Sequence, residues 1–199
     1  MKKNLVTAVL MTIATTVLLG IIYPLVVTGI AQVLFPKKAN GQLIEANGKI
    51  IGSRIIAQAF TAPGYFHPRP SAVAYDPTNS NGSQLGPTNQ KLVDRVKGDV
   101  TTAQAENPGT PVPIDLVTAS ASGLDSDITP DAAAFQLRRV AKARGINEEA
   151  LRELVAKHTV GRQLGFLGEP RVNVLELNLE LDRQFPESKQ SGENKRQLF

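Results

Sequence analysis

The chain has 199 residues, with 22 basic and 18 acidic side chains and no cysteine. This length allows one ordinary domain plus an appendage and excludes two large domains. The absence of cysteine excludes disulfide frameworks, thiol nucleophiles and zinc sites built on thiolates, and the near balance of charge argues against a partner made of nucleic acid.

The first predicted element is a transmembrane helix. No charged side chain interrupts residues 5–35, and about 20 apolar residues are enough to cross a bilayer. The apolar part of a secretory signal peptide spans only about 7–15 residues, so the pattern favours an uncleaved anchor behind a short flank at residues 1–4. A cleaved signal peptide is the alternative. Charge does not decide the orientation, because two lysines stand on each side of the span: Lys2, Lys3, Lys37 and Lys38.

Four residues of the span predict that it packs against a partner helix in the lipid. Pro24 removes one helical hydrogen bond, which should kink the helix or expose a carbonyl that needs a partner in hydrocarbon. Tyr23 precedes it, and Thr28 and Gly29 are residue types that allow close helix contact. The alternative is a plain anchor, since Thr and Gly are common in membrane helices.

Residues 36–186 are predicted to form one soluble α+β domain, followed by a polar tail at residues 187–199. Two apolar runs flank Asn47-Gly48, which predicts a β-hairpin at about 42–60. Five prolines then predict a long irregular segment from Thr61 to Thr88, and irregular segments of this length are usually functional.

Three helices are predicted after this segment. Their starts and stops are given by capping residues and by Gly or Pro, and they cover about 88–105, 130–144 and 147–158. The second is the clearest, with Thr129 as the cap, Pro130 at the first position and Gly145 as the stop. In residues 174–182 leucines alternate with polar residues as in a strand, yet the Leu and Glu content suits a helix. The pattern leaves both open.

Few residues suggest chemistry. The sequence has no phosphate-loop, dinucleotide-binding or zinc-helix motif. His67 and His158 are the only histidines, and no metal site is predicted from them. Arg138, Arg139, Lys142 and Arg144 crowd one predicted helix, and Arg138 and Arg139, with Ser122, are weak candidates for binding a phosphate or nucleotide. The competing interpretation of the cluster is a solvated helix face, or cations in the last turn that satisfy the helix dipole. Residues 163–170, between two arginines, suit either packing within the domain or a partner interface.

Several strings together resemble one family, the KdpC subunits of the Kdp potassium-transporting ATPase. The strings are Tyr23-Pro24-Leu25, Thr28-Gly29, Tyr65-Phe66, Arg69-Pro70-Ser71-Ala72, Tyr75-Asp76, Gly86-Pro87-Thr88-Asn89, residues 115–125, His158-Thr159, Arg162 and residues 164–175. The resemblance covers the chain from the anchor to about Asp182.

This resemblance implies an accessory subunit of a high-affinity potassium uptake complex in the cell inner membrane, itself neither catalyst nor pore. The channel-like KdpA would select potassium, the P-type KdpB would hydrolyse ATP, and a small fourth subunit would complete the complex. The family is also described as a catalytic chaperone that raises the ATP affinity of KdpB. The implied position of the soluble domain is extracytoplasmic, where it cannot meet cytosolic ATP, so coupling is expected to pass through the anchor and subunit contacts.

The resemblance also supplies candidate interface residues in the soluble part: Arg69, Ser71, Tyr75, Asp76, Arg162, Arg171 and Asn173. Membrane lipid is the other expected contact. The alternative function is an independent membrane-anchored extracytoplasmic enzyme or binding protein that uses His67 or His158.

Overall fold

The computed structural model of the chain describes residues 1–46 and 48–186, and the predicted polar tail lies outside the described residues. The chain divides into two compact units, one from Met1 to Ser53 and one from Arg54 onward. The first carries the apolar helix and a hairpin, and the second holds helices and a small sheet. The prediction of one N-terminal apolar helix with an α+β soluble part is confirmed.

The apolar helix runs from Lys2 to Leu34, and its 33 residues have the length and hydropathy needed to cross a membrane. It consists of α1 (Lys2–Thr15), a π-helical segment (Thr16–Ile22) and α2 (Tyr23–Leu34). At the end of the π-helical segment the Tyr23 N–H donates to the carbonyl of Leu18, five residues earlier. A wider turn makes room for the ring of Pro24, which would clash with the carbonyl four residues before it in a regular helix.

The predicted hairpin is confirmed and is shorter than expected. After the short helix α3 (Pro36–Ala39), strands β1 (Leu43–Ala46) and β2 (Lys49–Ser53) pair antiparallel, with Leu43 opposite Ser53. The strands stop at Ser53 because the chain beyond it bonds elsewhere: the Ala57 N–H donates to the Leu124 carbonyl at 2.9 Å within the second unit.

The core of the second unit lies between three helices and one side of a small sheet. Helices α5 (Pro130–Arg144), α6 (Glu148–His158) and α7 (Val174–Gln184) pack around strands β3 (Asp127–Ile128), β4 (Thr159–Val160) and β5 (Arg171–Asn173), in the antiparallel order β3-β5-β4. The largest fully buried side chains are mostly apolar: Phe66, Ile128, Leu137, Leu151, Leu177, Leu181, Val140, Val172, Val174 and Asn178.

The capping signals predict the starts of these helices well. Thr129 Oγ1 accepts the N–H of Ala132 at 3.2 Å, and Gly145 ends α5 in the left-handed region with φ 67°. Residues 174–182, whose pattern suited both a strand and a helix, are helical in the structure. Asn173 caps α7 by accepting the Glu176 N–H, and Leu177 and Leu181 then fall on one buried face.

Helix α4 (Gln90–Glu106) matches the helix predicted at 88–105 and begins at the cap Asn89. None of its residues is fully buried, and its apolar stripe is only half-buried. Its C-terminal end is held to α5 by the ion pair of Glu106 with Arg139 and by Asn107, whose Nδ2 donates to the Phe135 carbonyl at 3.1 Å.

Two buried amide side chains hold the irregular segment against the helices. Asn178 of α7 accepts the Phe66 N–H and donates to the Phe66 carbonyl, both at 2.9 Å. Gln136 of α5 does the same for His67, at 2.7 and 3.1 Å. Buried backbone groups need such partners, so a segment without helix or strand is fixed between two helices.

Two irregular segments, residues 69–84 and 118–125, pack closely on each other. A Cβ at Gly123, where φ is +68°, would come within 2.6 Å of Val73 Cγ2 and 2.8 Å of the Asn81 carbonyl oxygen. Close approach of two backbones therefore requires glycine at this position.

We expect Asn178→Leu to lower the free energy of unfolding by about 2–5 kcal/mol, because the Phe66 N–H and carbonyl would stay buried without partners. Urea titration of the detergent-solubilised full chain, read by pulse proteolysis, measures this. Asn79→Leu makes the same chemical change at an exposed residue and should alter stability by about 0.5 kcal/mol or less. Equal midpoints for the two variants would contradict the role given to Asn178.

We expect Gly123→Ala to destabilise the chain by about 1–3 kcal/mol more than Gly109→Ala, because overpacking adds to the cost of the left-handed backbone. Gly109 has a similar φ of +78° but open space where a Cβ would lie. The same urea titration compares the two. Equal losses of stability in the two variants would contradict this prediction, because they would mean that Val73 and Asn81 move aside for the new methyl group without a free-energy cost.

Candidate functional site

The four predicted packing residues of the apolar helix do not form a single stripe. Pro24 and Thr28 are four residues apart in α2 and share a face, whereas Gly29 lies about 140° around the helix from Pro24. Tyr23 is 61% exposed, and a Cβ at Gly29 would meet nothing within 4 Å. No residue of the span is buried against the described part of the chain, so its apolar surface is open to lipid or to another helix.

Three of the candidate interface residues in the soluble part lie together in one internal network. Arg69 Nη1 donates to Asp125 Oδ2 at 2.9 Å, and Ser71 Oγ donates to the Gly123 carbonyl at 2.6 Å. Tyr75 donates its hydroxyl to the Arg69 carbonyl at 2.9 Å, and burial raises the pKa of that hydroxyl. These residues fasten segment 69–84 to segment 118–125.

Asp76 lies apart from this network, at the surface. Its Oδ1 accepts from the N–H and the hydroxyl of Thr78 at 2.9 and 2.7 Å. These two hydrogen bonds lower the pKa of the Asp76 carboxyl. The geometry is that of a turn stabilised by its own first residue.

The candidates for nucleotide binding differ in accessibility. Ser122 and Arg138 are exposed, and Ser122 Oγ accepts the Leu124 N–H at 3.1 Å. The Arg139 side chain is only 11% exposed. Its guanidinium donates to Glu106, to the Pro63 and Tyr65 carbonyls and to Gln136, at 2.6–3.0 Å. Arg139 would have to give up these bonds to hold a phosphate.

Arg144, which belongs to the same basic cluster of α5, also bonds groups of its own chain. Its side chain is 1% exposed and donates to the Gly64 carbonyl, the Phe185 carbonyl and Asp182, at 2.6, 3.0 and 2.7 Å. Its guanidinium also lies 4.6 Å from the centre of the Tyr65 ring. Together, Arg139 and Arg144 hold three successive carbonyls of residues 63–65, so the interpretation as a solvated face is wrong for Arg139.

The two histidines each bond a backbone carbonyl. His67 Nε2 lies 3.1 Å from the Ala62 oxygen, and His158 Nδ1 lies 3.0 Å from the Leu154 oxygen. Burial, and then the charge of Arg139, lower the pKa of His67. Among the described residues, no group of three or more His, Cys, Asp or Glu side chains is arranged to hold a metal ion.

The remaining candidates lie at the sheet. Arg171 pairs with Asp127 across 3.0 Å, and Asn173 Nδ2 donates to the other carboxylate oxygen of Asp127 and to the Arg54 carbonyl, both at 2.8 Å. Arg162 donates to both oxygens of Glu169 at 3.0 and 2.8 Å. Asn173 is buried and structural, while Arg162 and Arg171 are 46% and 40% exposed.

One surface of the second unit is clearly unpartnered. Leu164, Phe166 and Leu167 are 83%, 69% and 47% exposed, and all three belong to the loop that connects β4 to β5. The sequence alone did not decide whether residues 163–170 pack within the domain or form a partner interface. Internal packing is wrong for these three side chains, which form an exposed apolar patch. We call residues 161–170 the apolar loop.

Comparison with known proteins gives these surfaces a context. Residues 5–183 match the family model described as K⁺-transporting ATPase, c chain. The chain is 65% identical to the potassium-transporting ATPase KdpC subunit of Koribacter versatilis, over 94% of this chain and 97% of the relative. It is 54% identical to the subunit of the same name from Rhodopseudomonas palustris, over 92% and 98%. The chain therefore belongs to the KdpC family of potassium-transporting ATPase subunits.

Proposed function

We propose that the chain is a non-catalytic accessory subunit that assembles and couples the Kdp potassium uptake complex in the cell inner membrane. The observation that carries the proposal is the apolar helix Lys2–Leu34, which has the length of a membrane span and no residue buried against the described part of its own chain. A helix of this kind, interrupted by a π-helical segment, is suited to packing against helices of other subunits.

Catalysis and conduction then belong to the other members of the complex. The sequence has neither the Asp-Lys-Thr-Gly phosphorylation motif of P-type pumps nor the Thr-Val-Gly-Tyr-Gly filter of potassium channels. In this proposal KdpB hydrolyses ATP, KdpA selects potassium, and the small fourth subunit lies beside them. The soluble part of the chain lies outside the cytoplasm and caps the potassium entrance.

The chaperone role, in which the ATP affinity of KdpB rises, is then an indirect effect. The chain would favour one state of the pump through its helix and its subunit contacts, with a coupling free energy of about 1–3 kcal/mol. The contacts of Arg139 support this route over direct binding, because its donors already bond protein groups. Direct contact of ATP with Ser122, Arg138 and Arg139 stays an untested prediction.

We expect Pro24→Leu to reduce the amount of chain that co-purifies with tagged KdpB about tenfold, and potassium uptake with it. Leucine restores an N–H at residue 24 and has no ring to clash with the preceding turn, so the π-helical segment is no longer needed. The shape of the helix then changes, and the free energy of packing against a partner helix falls by about 1–2 kcal/mol. Gly29→Leu, tested separately, probes the other side of the helix.

The matched control is Val26→Leu. Val26 is 53% exposed and lies about 160° around α2 from Pro24 and about 60° from Gly29 and from Tyr23, between the tested positions, so its enlargement should leave the yield of complex unchanged. Unchanged yield and transport in both Pro24→Leu and Gly29→Leu would contradict packing through either face.

The orientation can be tested with one introduced thiol, because the chain has no cysteine. Glu153 is exposed on α6, so we expect a membrane-impermeant maleimide to label the Glu153→Cys chain in intact cells whose outer envelope has been made permeable. Labelling at that stage would exclude direct contact of the soluble part with cytosolic ATP. A reaction seen only after lysis would place that part in the cytoplasm and contradict the proposed cap.

A further inference from the structure

The apolar loop is the tip of a hairpin with a fixed shape. It joins β4 to β5, whose last pair is Val160 opposite Arg171. Gln163 and Leu167 bond each other in both directions, N–H to carbonyl, at 2.8 and 2.9 Å. Leu164 has a φ of +53°, a conformation that a leucine keeps only where its surroundings hold it. The three apolar side chains are therefore presented by an ordered backbone.

The charges of the apolar loop cancel. Arg162 and Glu169 are its only charged residues, and they pair through two hydrogen bonds at 3.0 and 2.8 Å at the base of the loop. An unpaired charge would be costly to move into a less polar environment. The pair lets the tip leave water without stranding a charge.

We propose that the tip of the apolar loop, Leu164, Phe166 and Leu167, inserts into the interfacial region of the lipid bilayer that anchors the chain. The proposal rests on the apolar helix being membrane-spanning. Only residues 35–53 separate that helix from the start of the second unit, and 19 residues reach about 65 Å even when fully extended. The second unit is therefore tethered near the bilayer surface, and the anchor gives that surface a high effective concentration.

The composition of the tip suits lipid better than a protein partner. A stable protein interface covers about 800 Å² on each partner and includes a polar rim with directional hydrogen bonds. Three exposed apolar side chains offer only about a few hundred Å², and Leu and Phe bring no hydrogen-bonding group. A bilayer interface accepts apolar side chains without directional bonds, while its hydrated headgroups can satisfy the loop's backbone.

The absence of cysteine allows a direct test. The Leu164→Cys chain keeps Phe166 and Leu167, and it is labelled with an NBD maleimide and reconstituted at full length into vesicles of phosphatidylethanolamine and phosphatidylglycerol. We expect lipids with a doxyl group on the acyl chain to quench the label. Aqueous iodide should quench it several-fold less than it quenches the same label on the control, Glu153→Cys, an exposed position of α6. The measurement is then repeated in the assembled complex.

Each other outcome overturns the proposal. Iodide quenching equal to that of the control would leave the tip in water. A label in the assembled complex shielded from both iodide and doxyl lipid would mean that another subunit covers the tip. Alkaline carbonate extraction of the vesicles separates failure of the anchor from failure of the loop. Loss of both labelled chains from the vesicles would contradict the membrane-spanning helix and the loop proposal together. Chains that stay in the vesicles but have a label at residue 164 fully quenched by iodide would contradict the loop proposal alone.

Discussion

The second unit depends on how the chain satisfies the backbone of a long segment that is neither helix nor strand. Between Ser53 and Gln90 the described chain has no regular element, yet Phe66 in its middle is fully buried. Burial of a peptide N–H or carbonyl without a hydrogen bond costs about 1–3 kcal/mol, which is comparable with the gain from burying the apolar side chain beside it. Gln136 and Asn178 solve this problem, because each amide side chain offers one donor and one acceptor, as a neighbouring strand would.

The same requirement explains why so many polar candidates have internal partners. Arg139 and Arg144 bond the carbonyls of residues 63–65, and Arg69 and Ser71 fasten the next part of the segment. Polar side chains that resemble a binding site in the sequence thus serve the segment's own backbone. Among the described residues, the long helix and the apolar loop each expose several large apolar side chains close together in the chain.

The sequence predicts the local features and misses the long-range ones, for a physical reason. Capping and stop residues mark α5 and α6 because a cap acts within one turn of its own helix. The apolar helix is equally clear from its composition. The pairing of Asn178 with Phe66 joins residues 112 apart in the chain, and no local pattern reveals such a contact. Asn173 could have identified α7 as a helix, but the alternating leucines competed with that signal. The exposure of Leu164 and Phe166 depends on the tertiary fold, so apolar residue type alone left their role open.

The shallow burial of helix α4 affects how fast its backbone amides exchange with solvent. It has no fully buried residue, and its C-terminal end is held through Glu106 and Asn107. Opening its first turns exposes little apolar surface, so those amides can exchange with solvent hydrogen through local fraying. The Phe66 amide is released only when α7 separates from the segment, which dismantles the core. Within one compact unit, the amides at the start of α4 and the amide of Phe66 therefore exchange on widely separated timescales.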